Sequence, residues 1–259
     1  MKFIFVKKIL IFFINIFNFF SIKKIKKTIG FFLYSLNLKI FTHINKIDKV
    51  PIFKNENSYE VTKISFTDEE LEKINLDLKK KDYLEKKFSF RFILFPKNEK
   101  FLSDVEMSWG FSRRYYVNLI NKKLGDKIKS FFGNGNYRFE HFWIWKTPKK
   151  SSNVNSSFHV DNDMPGAMKI MIYLNKVDEF GGPFAVKGND DKIYKVLGDL
   201  GTTIIFNQNK CLHAGLPNIN NDRFVLVTTI YPSIRKNITY EEFKPINSFC
   251  EYNPFTNLS

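Results

Sequence analysis

The chain has 259 residues, 44% of them hydrophobic and 17% aromatic, enough apolar side chain for one sizeable core with further elements around it. Its formal net charge is +15, but the first fifty residues hold ten lysines, no arginine and one acid, Asp48, so +9 of the excess lies in a leader and the other 209 residues carry an ordinary surface balance. That distribution argues against a nucleic-acid-binding body, which needs a basic stripe on the folded domain, and two cysteines, Cys211 and Cys250, make no disulfide framework and suit a reducing compartment.

Ile9 to Phe20 is a dense apolar run broken by Asn15 and Asn18, with Lys7 and Lys8 before it and Lys23, Lys24, Lys26 and Lys27 after. A helix of about fourteen residues reaches only ~21 Å against the ~30 Å hydrocarbon core of a bilayer, so the run is too short to span it. Ser21 followed by isoleucine and lysines is not a signal-peptide cleavage site. From there Ile22, Ile25, Ile29, Phe32, Leu33 and Leu36 recur at helical spacing with lysines opposite, the pattern of a helix lying in a membrane interface. A helix packed on the domain's own surface has the same pattern. Residues 1 to 50 are thus read as a basic leader and candidate peripheral membrane anchor, which would place the chain in the cytoplasm, at the inner face of the membrane.

Residues 51 to 136 read as elements flanking a core. Pro51 to Tyr59 is a polar connector. Thr67-Asp-Glu-Glu70 has the spacing of a capping box, so a helix should start at Asp68 and bury Leu71, Ile74 and Leu78. Phe88 to Phe95 reads as one aromatic strand ended by Pro96. A second helix is expected from Arg113 to Phe131, where Val117, Ile120, Leu124, Ile128 and Phe131 recur at three and four, with Gly125 a place to bend. Gly133-Asn-Gly-Asn136 is a turn.

From residue 137 to 236 short strands follow closely without helical patterns between them, as in a sandwich or barrel of antiparallel strands, and residues 237 to 259 form a tail. Tyr137, Phe139, His141, Trp143 and Trp145 alternate on one face of the first strand. Further strands are expected at Met168 to Leu174, Phe184 to Lys187, Lys192 to Leu197, Thr202 to Phe206 and Arg223 to Tyr231. His141, Trp143, Trp145 and Phe158 read as core packing, Lys146 and Lys169 as solvated strand lysines, and Cys211 as a small buried filler.

His159 and Asp161 stand out. Two residues apart in an extended segment, they project from the same side and can grip one ion. A third ligand has to come from elsewhere, and His213 lies at the end of another strand-like run. Two histidines and one carboxylate on one face of an octahedral ion leave the opposite face open, the arrangement of non-haem Fe(II) oxygenases. Arg223, ten residues on, would return beside the metal strand with a guanidinium fork suited to a dicarboxylate.

The order His159-x-Asp161, Ile172-Tyr-Leu-Asn175, Gly182-Pro-Phe184, Gly198-Asp199, His213 and Arg223 resembles the phytanoyl-CoA dioxygenase family of Fe(II)- and 2-oxoglutarate-dependent oxygenases, over about residues 137 to 232. The resemblance implies a mainly β fold with flanking helices around a double-stranded β-helix, a cupin-like jelly roll. It implies His159, Asp161 and His213 as iron ligands and catalytic residues, Arg223 as the binder of the far carboxylate of 2-oxoglutarate, and O2 at the open position. The Gly-Ser-His common in the family is Gly188-Asn189-Asp190 here. The implied function is hydroxylation of a small-molecule or membrane-associated metabolite with decarboxylation of 2-oxoglutarate to succinate. The competing expectation is a catalytically inactive jelly-roll binding module tethered to a membrane surface.

Overall fold

A computed structural model describes residues 23–79, 83–88, 91–96, 111–150, 157–161 and 164–234. Three helices, α1 (Lys23–Asn45), α2 (Asp68–Lys79) and α3 (Phe111–Phe131), precede or interleave ten strands. These are β1 (Tyr59–Lys63), β2 (Tyr83–Phe88), β3 (Arg91–Pro96), β4 (Asn136–Thr147), β5 (Met168–Tyr173), β6 (Phe184–Lys187), β7 (Ile193–Val196), β8 (Thr202–Phe206), β9 (His213–Gly215) and β10 (Arg223–Ser233).

The strands form a large sheet of order β1-β8-β5-β10-β4-β3-β2 and a small one of order β7-β6-β9, antiparallel throughout. His159 bridges to His213 on β9 and so extends the small sheet by one position. From β4 onward the chain passes back and forth between the sheets: β4 in the large one, His159 in the small, β5 large, β6 and β7 small, β8 large, β9 small, β10 large. That winding is a double-stranded β-helix, mainly β with helices at its flank.

Alternation along the central strands separates two cores. Ile170 and Ile172 of β5 and Leu226 and Ile230 of β10 join Ile74 of α2, Phe41 of α1, and Ile120, Leu124 and Ile128 of α3 on the helical side. Met171, Tyr173, Val225 and Val227 point the other way, between the sheets, against Phe184, Val186 and Val196. Both faces being covered, β5 and β8 are buried along their whole length and read as near-continuous apolar runs. β7, at the free edge of the small sheet, is short and largely exposed and carries Lys195, which discourages pairing with another chain.

The helices follow their signals. Thr67 Oγ1 accepts from Glu70 N at 3.2 Å and Glu70 Oε2 accepts from Thr67 N at 2.9 Å, the reciprocal capping box, and α2 starts at Asp68 as expected. α3 buries Val117, Ile120, Leu124, Ile128 and Phe131 and runs unbroken through Gly125. Glycine leaves room there for the Tyr137 hydroxyl, which a Cβ would approach to 3.2 Å. α1 is packed on the domain through one face, with Tyr34 edge-on to Tyr231 at 5.7 Å and Phe41 edge-on to Phe132 at 6.5 Å.

Three expectations change. Tyr137 and Phe139 join the core on the helical side while Trp145 packs between the sheets, because the pairing of β4 with β10 shifts by one residue between His141 and Phe139, so the aromatics of β4 do not share one face. The single strand over residues 88 to 95 is a hairpin, in which β2 and β3 pair with Phe88 opposite Arg91, and Pro96 is the last residue of β3, opposite Tyr83. An aromatic run signals strand but says nothing about where it folds back. β1, at the end of the polar connector, carries little strand signal of its own; it pairs with β8 along five residues and closes one edge of the large sheet. The apolar run over residues 9 to 20, the loop over 151 to 156, Cys250 and the tail lie outside the described residues.

Candidate metal centre

His159 and His213 face each other across the small sheet. Each backbone N–H donates to the other's carbonyl at 2.9 Å, so they form a hydrogen-bonded antiparallel pair whose side chains leave on the same face. Their rings lie 4.7 Å apart. Asp161, two residues on, is pinned by its own N–H donating to the Gln208 carbonyl at 2.8 Å and returns to that face. Asp161 Oδ1 lies 3.7 Å from His159 Nε2, Oδ2 lies 3.7 Å from His213 Nε2, and one donor atom from each residue falls within 4.8 Å of the others. His159 and Asp161 are neighbours in the chain, and strand pairing brings the distant His213 to them.

Hydrogen bonds prepare the imidazoles. His159 Nδ1 lies 3.1 Å from the Ser157 carbonyl and His213 Nδ1 lies 2.9 Å from the Cys211 carbonyl. A carbonyl only accepts, so each Nδ1 carries the proton and each Nε2 offers its lone pair to the centre. His213 is stacked on Phe184 at 5.3 Å and tilted against Phe206 at 4.8 Å. Burial in that aromatic setting pulls its pKa down to about 4, against the opposing pull of Asp161, so the ring is neutral near pH 7. Burial works to raise the Asp161 carboxyl, but Lys169 and then the two imidazoles outweigh it and hold it below the ordinary carboxylate range. The Cys211 thiol is driven up to about 12 by burial, and then by Asp161, which suits the filler role.

Lys169 departs from its expected place among the solvated strand lysines. Instead of reaching solvent it is buried, and its ammonium donates to Asp161 Oδ2. The signal was parity: Lys169 shares its strand face with Met171 and Tyr173, both of which point between the sheets. Thr147 was missed for the same reason, since it continues the alternation of Trp143 and Trp145 on β4. Lys146, on the opposite face, lies 3.5 Å from Asp222. The side chains of His141 and Trp143 are outside the described residues.

Arg223 begins β10 with the parity of Val225 and Val227, so its side chain enters the space between the sheets. It is 2% exposed. Nη2 donates to Thr147 Oγ1 at 3.1 Å, while Nε and Nη1 have no partner. Burial lowers its pKa, and the Tyr173 hydroxyl, which donates to the Val196 carbonyl at 2.8 Å, works against that shift. No carboxylate neutralises the guanidinium among the described residues, and an uncompensated buried cation is costly unless an anion joins it. Gln208 is fully buried with both amide atoms unpartnered as well.

The donor set fits a divalent metal: two imidazoles with Nε2 turned to the centre and one carboxylate. The orphaned N–H groups of Arg223 fit an anion with oxygens in one plane.

No family profile and no curated protein matches this sequence. Among solved structures, HygX from Streptomyces hygroscopicus with nickel, 2-oxoglutarate and hygromycin B bound is 14% identical, over 77% of this chain and 88% of that one, with a TM-score of 0.49. An oxidoreductase of the 2OG-Fe(II) oxygenase family from Burkholderia pseudomallei is 17% identical over 70% of this chain and 89% of that one, TM-score 0.46. The non-heme alpha-ketoglutarate-dependent epimerase SnoN from nogalamycin biosynthesis is 10% identical over 68% and 78%, TM-score 0.49. At these scores the likenesses do not bear on what this chain binds.

Proposed function

We propose that the chain is an Fe(II)- and 2-oxoglutarate-dependent dioxygenase that hydroxylates a small-molecule or membrane-associated metabolite. The observation that carries this reading is the pairing of two features: a His159, Asp161 and His213 cluster, and a buried Arg223 with two nitrogens, Nε and Nη1, open to an anion. Iron with 2-oxoglutarate and O2 supplies the oxidation, inserting one oxygen atom into a C–H bond of substrate and releasing succinate and carbon dioxide.

The chain's own part is to hold and to orient. His159 and His213 each hold Nδ1 against a backbone carbonyl, which turns Nε2 of both rings toward the centre. Lys169 occupies Oδ2 of Asp161 and leaves Oδ1 for the ion. Arg223, steadied through Nη2 by Thr147, keeps Nε and Nη1 to donate toward an outer carboxylate, a planar set of donors that lysine could not reproduce. Phe184 and Phe206 wall the His213 side of the centre and keep water from that ring.

The test is anaerobic titration of the full chain with Fe(II), followed by assay of succinate from 2-oxoglutarate in air. One ion should bind per chain with slow succinate release even without substrate, and Asp161→Ala should lose both. A chain that loads iron yet never consumes 2-oxoglutarate across a broad metabolite screen would refute the proposal. The second reading, a catalytically inactive jelly-roll binding module, is favoured by one observation, the ammonium of Lys169 seated on the carboxylate, where it competes with a cation.

A further inference from the structure

The structure gives α1 two faces with different partners. Tyr34, Leu38 and Phe41, at helical spacing, are turned to the domain: Tyr34 and Leu38 pack with Met164, Ala167 and Tyr231, and Phe41 lies on Phe132. Opposite them, at i, i+4, i+7 and i+11, run Phe32, Leu36, Lys39 and His43, all exposed, with Ile44 beside them. Phe32 is 64% exposed and Leu36 40%, an exposed apolar pair one turn apart that continues into Lys39 and His43, and Ile44, 63% exposed, lies about 80° round the helix from Leu36. Scattered exposed apolar residues need no explanation, but large ones grouped on one helix face do.

Charge says what covers it. The helix contains five lysines and no acid, and Lys23, Lys24, Lys26 and Lys27 crowd its first two turns. Cations at a helix N-terminus oppose the macrodipole and weaken the helix, so this arrangement is not there for local stability. The preceding residues continue the theme with the apolar run over residues 9 to 20 between lysine pairs. A second copy of this chain would bring the same positive charge to meet itself. An anionic lipid surface instead offers headgroups to the lysines and acyl chains to Phe32 and Leu36, and each lysine near such a surface multiplies affinity about fivefold.

We infer that the outer face of α1, with the lysines of its first two turns, docks the protein on an anionic bilayer surface without crossing it. No described helix is long and apolar enough to cross. The inner face then ties that surface to the candidate metal centre. The Tyr34 hydroxyl donates to the Pro165 carbonyl, and a Cβ on Gly166 would meet Leu38 at 3.1 Å, so α1 sits on the turn that leads from Asp161 into β5. Pro165 is four residues from Asp161, at most about 14 Å of extended chain. Docking on this face would hold the centre within a few turns of chain of the lipid headgroups.

The experiment is co-sedimentation of the full chain with vesicles of phosphatidylcholine alone and of phosphatidylcholine with one quarter phosphatidylglycerol, at low and high salt. The wild type should pellet with the anionic vesicles and be released by salt, because screening shortens the reach of the lysines. The Phe32→Glu and Leu36→Glu double variant, altered only at exposed positions, should keep its thermal unfolding transition and lose roughly tenfold or more in partitioning. Equal partitioning of variant and wild type would overturn the inference, as would failure of the wild type to bind anionic vesicles. A concentration-dependent dimer in sedimentation velocity, abolished by the same variant, would instead assign the face to a second copy and would equally overturn it.

Discussion

Lys169 puts two electrostatic effects in opposition at one carboxylate. By holding Asp161 Oδ2 it orients the ligand, and loss of such an outer-shell partner ordinarily weakens metal binding by about 10- to 100-fold. It also sets a positive charge beside the position of a dication, and at ~5 Å with an effective dielectric of about 20 that repulsion is on the order of 6 kcal/mol. Repulsion is the stronger of the two effects. Lys169→Met should therefore bind Ni(II) at least roughly tenfold more tightly than the wild type in titration calorimetry. Weaker binding in the variant would make Lys169 primarily an orienting residue. Arg223 presents the complementary case, a buried cation that gains by acquiring an anion.

At the level of elements, the connections hold the site as firmly as the strands do. Gly201 sits at φ 88° in the turn between β7 and β8, donates its N–H to the Tyr173 carbonyl at 2.8 Å and accepts from Ile64 N at 3.0 Å. A Cβ there would lie 2.1 Å from the Ile64 carbonyl oxygen. Left-handed strain and a backbone clash coincide, so Gly201→Ala should cost roughly 2 kcal/mol or more, read as a lower urea midpoint with an unchanged slope. Much of this level is legible in the chain. Thr67 and Glu70 mark the start of α2, and the spacing of Ile120, Leu124 and Ile128 marks the buried face of α3. The fold-back between Phe88 and Arg91 is not legible, because the first arm, with Glu85, Lys86 and Lys87, carries little strand signal and only the second arm is apolar and aromatic. Nor is β1, whose pairing with β8 is decided by an edge more than a hundred residues away in the chain.

For the molecule as a whole, metal and fold should be linked. The three donor residues lie on segments that meet only when the small sheet is formed, so an ion bound there favours the folded state. Nickel at a free concentration 100-fold above its dissociation constant should add about 2.7 kcal/mol, which for a chain of this size is roughly 5 to 10 °C in melting temperature. Scanning calorimetry with nickel and then with excess chelator checks this, and an unchanged melting temperature would mean the cluster is not a metal site. The pairing of His159 with Asp161 was readable because alternation along one strand is local, and Val225 and Val227 show the same rule placing Arg223 inward. Tertiary structure decided the rest: that His213 stands directly opposite His159, that Lys169 reaches Asp161, and that Thr147 steadies Arg223. Register between strands depends on which segments pair, and pairing is settled by burial over the whole sheet, which no short stretch of sequence records.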